Sequence, residues 1–132
     1  MATHTKRIDR TTERAIRDIL RSKAQTRIYL FLLRTTGARS EEIIKGTHLH
    51  PSTVRELLSK MHDKRLIYRE KMKNESIGKN PYVYRPIPPI KLLQRYAQEI
   101  EDKLNRIAKL TANTQSDENN HLVKINIYEE GR

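Results

Sequence analysis

The stretch from Pro51 to Asp63 carries the side chains best suited to meeting a polyanion. Val54, Leu57, Leu58 and Met61 fall at i, i+3, i+4 and i+7, the spacing of one helical face. That leaves Ser52, Thr53, Arg55, Glu56, Ser59 and Lys60 turned away from it. The planar fork of Arg55 can take O6 and N7 of a guanine together, which makes it the candidate for reading a base. Ser52 and Thr53 are short enough for phosphate oxygens or close base edges. Glu56 can accept from cytosine N4, but the simpler expectation is a pair with Lys60 one turn on.

Two further cationic sets accompany that helix. Arg69, Lys71, Lys73, Lys79 and Arg85 lie in a segment that reads as a hairpin, against Glu70 and Glu75. A basic hairpin tip can hold phosphate or enter a minor groove; charge on an exposed edge also guards against strand-to-strand association. Arg7, Arg10, Arg14, Arg17 and Arg21 are spaced 3, 4, 3 and 4 apart, so a helix starting near Arg7 aligns all five. Such a stripe can follow a DNA backbone, or be a solvated face with Asp9, Glu13 and Asp18 as local partners. Both readings stand at this point.

Other chemistry finds little support. The chain has no Cys, which removes disulfides, thiol catalysis and Cys-based zinc sites. Of its histidines, His48, His50 and His62 are the ones that can converge, without a carboxylate in register, and polar turn positions explain them more simply. Phosphate-binding glycine loops, GxSxG and HExxH are absent. No catalytic residue, metal or cofactor is expected, no small-molecule effector is evident, and the chain reads as a non-enzyme.

The formal charge of +11 is unevenly placed. Residues 1–88 hold 20 Lys/Arg and 9 Asp/Glu, an excess of 11, whereas residues 89–132 hold 7 of each. A basic head joined to a neutral module fits a polyanion binder with an assembly element. No apolar run reaches the roughly 20 residues of a membrane span. The polar N-terminus shows no secretory signal, so a cytoplasmic, nucleoid-associated location without membrane contact is expected.

The elements that must position these residues follow from periodicity. Residues 1–5 are expected to be unstructured. A first helix covers Thr12 to about Ser22 on Ala15, Ile16, Ile19 and Leu20; a second covers Ala24 to Thr35 and stops at Gly37. Ser40 caps a short helix to Lys45, and residues 46–50 form a turn. Pro51, Ser52 and Thr53 open the helix described above. Leu66 to Lys73 alternates as a strand with Leu66, Tyr68, Glu70 and Met72 on one side. Residues 74–80 form a turn, Tyr82 to Arg85 returns as the second strand, and Pro86, Pro88 and Pro89 end the sheet.

From Pro89 to about Thr111 runs one long helix. Ile90, Leu93, Ala97, Ile100, Leu104, Ile107 and Thr111 alternate 3 and 4 apart, a coiled-coil seam. A second copy of the chain would bury it, with Leu93, Ala97, Ile100, Leu104 and Ile107 as the dimer contacts; alternatively the helix folds back over its own domain. Residues 113–120 read as a linker, and Leu122 to Tyr128 alternates like a strand added to a sheet edge, with Val123, Ile125 and Ile127 on one face.

The expected fold is therefore mainly α with a small β-hairpin: a winged helix-turn-helix over 1–88, a dimerisation helix over 89–112, then a linker and a short strand over 113–132. Four stretches resemble the TrmB-like archaeal winged-helix regulators: Gln25 to Leu30, Val54 to Leu58, Leu66 to Tyr68, and Pro81 to Pro89 leading into a long helix. The patterns are loose and shared with MarR-like proteins. The resemblance implies dimeric binding to double-stranded DNA with a recognition helix at residues 51–63. The chain departs from sugar-sensing members by ending after a short tail, and its arginine-striped first helix is extra. A sequence-specific dimeric transcription regulator is the leading expectation. An architectural, chromatin-like protein of low specificity is the alternative, and a protein-interaction module is a third.

Overall fold

The computed structural model describes residues 7–72, 82–111 and 122–129. Its elements run α1 (Arg10–Leu20), α2 (Lys23–Thr35), β1 (Ala38–Arg39), α3 (Ser40–Thr47), α4 (Pro51–Asp63), β2 (Ile67–Lys71), β3 (Tyr82–Pro86) and α5 (Pro89–Ala108). The chain divides into two compact units, Met1–Ile87 and Pro88–Arg132. The expected class, mainly helical with a small antiparallel sheet and a long C-terminal helix, is the one observed.

The first unit is built around α2. Ile28, Tyr29 and Leu32 are fully buried and meet Ile43, Val54, Met61 and Ile67 in an aliphatic core. Ser22 caps α2 by accepting from the Gln25 N–H at 3.0 Å. Tyr29 donates its hydroxyl to the Ile87 carbonyl at 2.8 Å, and the Ile87 N–H donates to the Leu66 carbonyl at 3.1 Å. The exit of β3 is thereby tied to both the core helix and the entry of β2. Burial pushes the Tyr29 hydroxyl up to about 12, since an ionised phenolate would lose its water there.

The sheet has three strands rather than two, in the order β1-β3-β2, all antiparallel. The extra strand pairs Ala38 with Tyr84 and Arg39 with Val83. Gly37 makes it possible: its φ is +129°, and a side chain there would strike the Arg85 guanidinium. In β2 the expected facing is overturned. Leu66 precedes the strand and its N–H donates to the Met61 carbonyl at 2.9 Å, so alternation starts at the buried Ile67. Tyr68, expected on the same side as Leu66, is exposed, and the rest of β2 leaves the core behind.

Helix boundaries shift in informative ways. The first helix starts at Arg10, capped by Asp9, whose carboxylate accepts from the Thr12 N–H at 2.8 Å. That hydrogen bond holds the Asp9 carboxyl below its usual range. Arg7 therefore precedes the helix, and the stripe of five is not continuous. Ser40 is the first residue of α3 rather than its cap; the cap is Arg39, whose N–H donates to Glu42 Oε1 at 2.8 Å. The same helix continues through Gly46 to Thr47, beyond the expected end at Lys45. Four helix exits carry a left-handed residue other than glycine: Arg21, Thr36, His48 and Arg65, all with φ near +60°.

In the second unit α5 spans 20 residues, about 30 Å at 1.5 Å per residue. Residues 122–129 do not add a strand to the sheet, as the alternation had implied. They are held on α5: Asn105 Nδ2 donates to the Val123 carbonyl at 3.0 Å, and the Val123 N–H donates back to Asn105 Oδ1 at 2.8 Å. The Ile125 N–H donates to Glu101 Oε1 at 2.9 Å. Side chains one helical turn apart thus grip alternate residues of a segment running antiparallel to the helix.

Candidate nucleic-acid interface

The candidate interface starts with α3, the turn at residues 48–50, and α4. The turn is pinned from inside. Thr47 Oγ1 donates to the Ile43 carbonyl at 2.7 Å and accepts from the Leu49 N–H at 3.3 Å. Arg27 reaches over from α2 to donate to the Thr47 carbonyl at 2.7 Å. His48 closes α3 with its N–H on the Ile44 carbonyl. Two residues later His50 caps α4, its ring Nδ1 accepting from the Ser52 N–H at 3.1 Å and lying 2.9 Å from Ser52 Oγ. Residue type alone does not point to a histidine cap, because Ser, Thr, Asp and Asn dominate that position. Among the described residues no group of three metal-ligating side chains forms, so the His48, His50 and His62 cluster is not assembled.

Val54, Leu58 and Met61 seat α4 in the core, while Leu57 and Thr53 are half-buried. Ser52, Arg55, Glu56, Ser59 and Lys60 are exposed. The expected Glu56–Lys60 pair does not form; the described ion pairs that define the region are Arg39–Glu41 at 3.5 Å and Glu70–Arg85 at 3.0 Å. Arg55, Glu56 and Lys60 are therefore available to a partner, and Ser52 shares its hydroxyl with the cap.

The hairpin divides its cations between two jobs. Arg85 Nε meets Glu70 Oε1, and its Nη1 donates to the Thr36 carbonyl at 2.8 Å, so this guanidinium braces β3 against the end of α2. Arg69 lies over the Tyr82 ring at 4.4 Å, a diagonal cross-strand contact that leaves its edge donors exposed. Lys71 is exposed at the far end of β2. Lys73 and Lys79 lie outside the described residues, as do the turn at residues 74–80 and the linker at 113–120.

On α1, Arg10 and Arg14 are exposed and Arg17 is half-buried, with Arg21 exposed in the left-handed cap. No residue of this helix is fully buried. On α5, the seam residues Leu93, Leu104 and Ile107 are 44%, 42% and 63% exposed, and Ala97 and Ile100 are half-buried. Among the described residues, no helix is long and apolar enough to cross a membrane.

Comparison with known proteins adds further findings. Residues 22–90, just over half of the chain, match the family described as sugar-specific transcriptional regulator TrmB. A possible transcriptional regulator from Methanosarcina mazei Go1 superposes with a TM-score of 0.61 at 22% identity, over 76% of this chain and 88% of that one; this likeness is one of fold. More distant matches are NadR in complex with 4-hydroxyphenylacetate (TM-score 0.49, 16% identity, 85% and 87% coverage) and the AntR antimony-specific transcriptional repressor (0.45, 16%, 81% and 91%). No curated protein sequence matches the chain.

Proposed function

The chain belongs to the TrmB family of winged-helix transcription regulators, and from that premise we propose that it acts as a dimer on double-stranded DNA, with α4 in the major groove. The observation that carries this reading is the outer face of α4. Arg55, Glu56 and Lys60 stand exposed, and unpaired among the described residues, on a helix whose other face is locked into the core. The pinned turn before it fixes its N-terminal half, the part that enters the groove in helix-turn-helix docking. Arg55 is the base reader, with Ser52, Thr53, Ser59 and Lys60 on phosphates or base edges. Arg69 and Lys71 supply the wing's phosphate contacts, joined by Lys73 and Lys79, while Arg85 mainly braces the wing.

The dimer rests on α5. Its exposed Leu93, Leu104 and Ile107 repeat at heptad spacing with Ala97 and Ile100 between them, and a second copy offers the matching seam. Two heads then address two half-sites.

The test is Arg55→Ala, measured on the preferred site recovered by genome-wide capture and on random duplex. The expected loss on the preferred site is about 1–3 kcal/mol, with little change on random DNA. Equal losses on both would make Arg55 a phosphate contact and remove it from base reading. A second reading, an architectural protein, draws on the exposed Arg10, Arg14 and Arg21 of the α1 region. It predicts a small ratio between preferred and random sequences, where a regulator gives roughly 10³–10⁷.

A further inference from the structure

A cleft of about 230 Å³ opens between α1, α2 and α3, lined by Glu13, Arg27, Leu30, Phe31, Arg34, Gly46 and Thr47. It exists because α1 packs incompletely: Ile16, Ile19 and Leu20 are only half-buried, and no residue of that helix is sealed from solvent. On the α2 side, Arg27, Phe31 and Arg34 recur at i, i+4 and i+7, placing the ring between two guanidiniums. Gly46 leaves room for the ring, since a Cβ there would collide with Phe31 Cε1. Any side chain at position 46 would drive Phe31 out of its seat and remould the wall.

The charges in this cleft are opposite yet uncombined. Glu13 on α1 and Arg34 on α2 line the same space, and neither side chain makes an ion pair or hydrogen bond among the described residues. Arg27 donates to the Thr47 carbonyl through one nitrogen only, which leaves further donors on its fork. Between these groups Leu30 and Phe31 offer an apolar wall. A guanidinium at one side takes a carboxylate, a carboxylate at the other takes an ammonium, and the wall takes an aliphatic group. We infer that this cleft is an effector site for a small α-amino acid with an apolar side chain.

Size and polarity discriminate against other occupants. The volume falls below the roughly 300–1,000 Å³ of sites that hold drug-sized ligands, so a nucleotide or oligosaccharide would lie largely outside the cleft. A plain carboxylate leaves Glu13 unmatched, and a neutral sugar leaves both charges so. The position also gives the ligand leverage. Arg27 and Thr47 are shared between the cleft and the turn that leads to the His50 cap of α4. Drawing Arg27 toward a bound carboxylate loosens its hold on the Thr47 carbonyl, which biases the recognition helix. That consequence, though not the binding itself, rests on the DNA-binding reading above.

The experiment is calorimetric titration of the full chain, without DNA, against L-leucine, L-isoleucine and L-methionine. 4-Methylpentanoate, which lacks the ammonium, and 3-methylbutylamine, which lacks the carboxylate, serve as truncated probes. Saturable binding of at least one amino acid is expected, with each truncated probe about tenfold or more weaker. A lost charge-assisted contact of about 1.4 kcal/mol corresponds to that factor. Arg34→Gln and Glu13→Gln should each weaken binding by a similar factor, about tenfold or more, while leaving the melting curve in place. The absence of saturable heat with all three amino acids overturns the inference. So does 4-methylpentanoate binding as tightly as leucine with Glu13→Gln silent, since the cleft is then a simple anion site. Because no duplex is present, failure here leaves the DNA-binding reading standing, and failure of duplex binding leaves this one standing.

Discussion

The helices α4 and α5 obey the same amphipathic rule and end in opposite situations. In α4 the apolar stripe of Val54, Leu58 and Met61 disappears into the core within 13 residues. In α5, 20 residues long, Leu92 is the one large apolar side chain that is fully buried, and Leu93, Leu104 and Ile107 face solvent. The contrast extends to charge. The cation excess of 11 lies in the unit that contains α4, and the unit that contains α5 is neutral. A stripe buried within its own unit makes a fold, and a stripe left exposed among the described residues is the one the proposed dimer uses. On the proposed reading, the basic head meets an anion and the neutral helix meets its own copy without charge repulsion.

The sharpest way to break this comparison is to cut each stripe in turn. Leu58→Ala should cost about 2–5 kcal/mol of folding stability, equally at low and high protein concentration. Leu104→Lys should leave the head folded but halve the sedimenting mass, and its melting temperature should no longer rise with concentration. A mass unchanged by Leu104→Lys would show that α5 is covered within the chain, and the contrast would dissolve. A smaller effect concerns the head alone. The Tyr29 hydroxyl is raised to about 12 from an ordinary value near 10. Its contribution is intact below pH 10 and declines as pH climbs toward 12, by about 2–3 kcal/mol in all. Denaturant midpoints across that window should fall more steeply for the natural protein than for Tyr29→Phe; parallel curves would sink the assignment. Smallest of all, Lys71→Ala should weaken every duplex alike and flatten the log–log salt dependence by about 0.9. An unchanged slope would remove Lys71 from the phosphate contacts.

Much of this architecture is legible from residue spacing. Helix α4 runs from Pro51 to Asp63, as the proline and the i, i+3, i+4, i+7 pattern require, and α5 opens at Pro89 after the proline-rich exit from the sheet. What escapes the sequence is contact between distant residues and elements too short for a period. Two residues, Ala38 and Arg39, cannot display an alternation, so β1 is visible only once β3 lies beside it. Arg85 reads as a free cation until Glu70 and the Thr36 carbonyl are placed around it. Asn105 sits off the heptad seam, and nothing local announces its bond to a residue 18 positions on. The helix exits at Arg21, Thr36 and His48 were equally hidden, because glycine is the usual signal for a left-handed end.

Recognition by Asn105 has a bearing on how far the tail can be rewritten. The amide grasps the N–H and C=O of residue 123, groups common to every amino acid except proline at the donor. The latch is therefore keyed to main chain and indifferent to the side chain it holds. Epitopes or fluorophores can be grafted over residues 122–129 with their position along α5 still indexed, and Val123→Pro is the one exchange at that position that deletes the latch's donor.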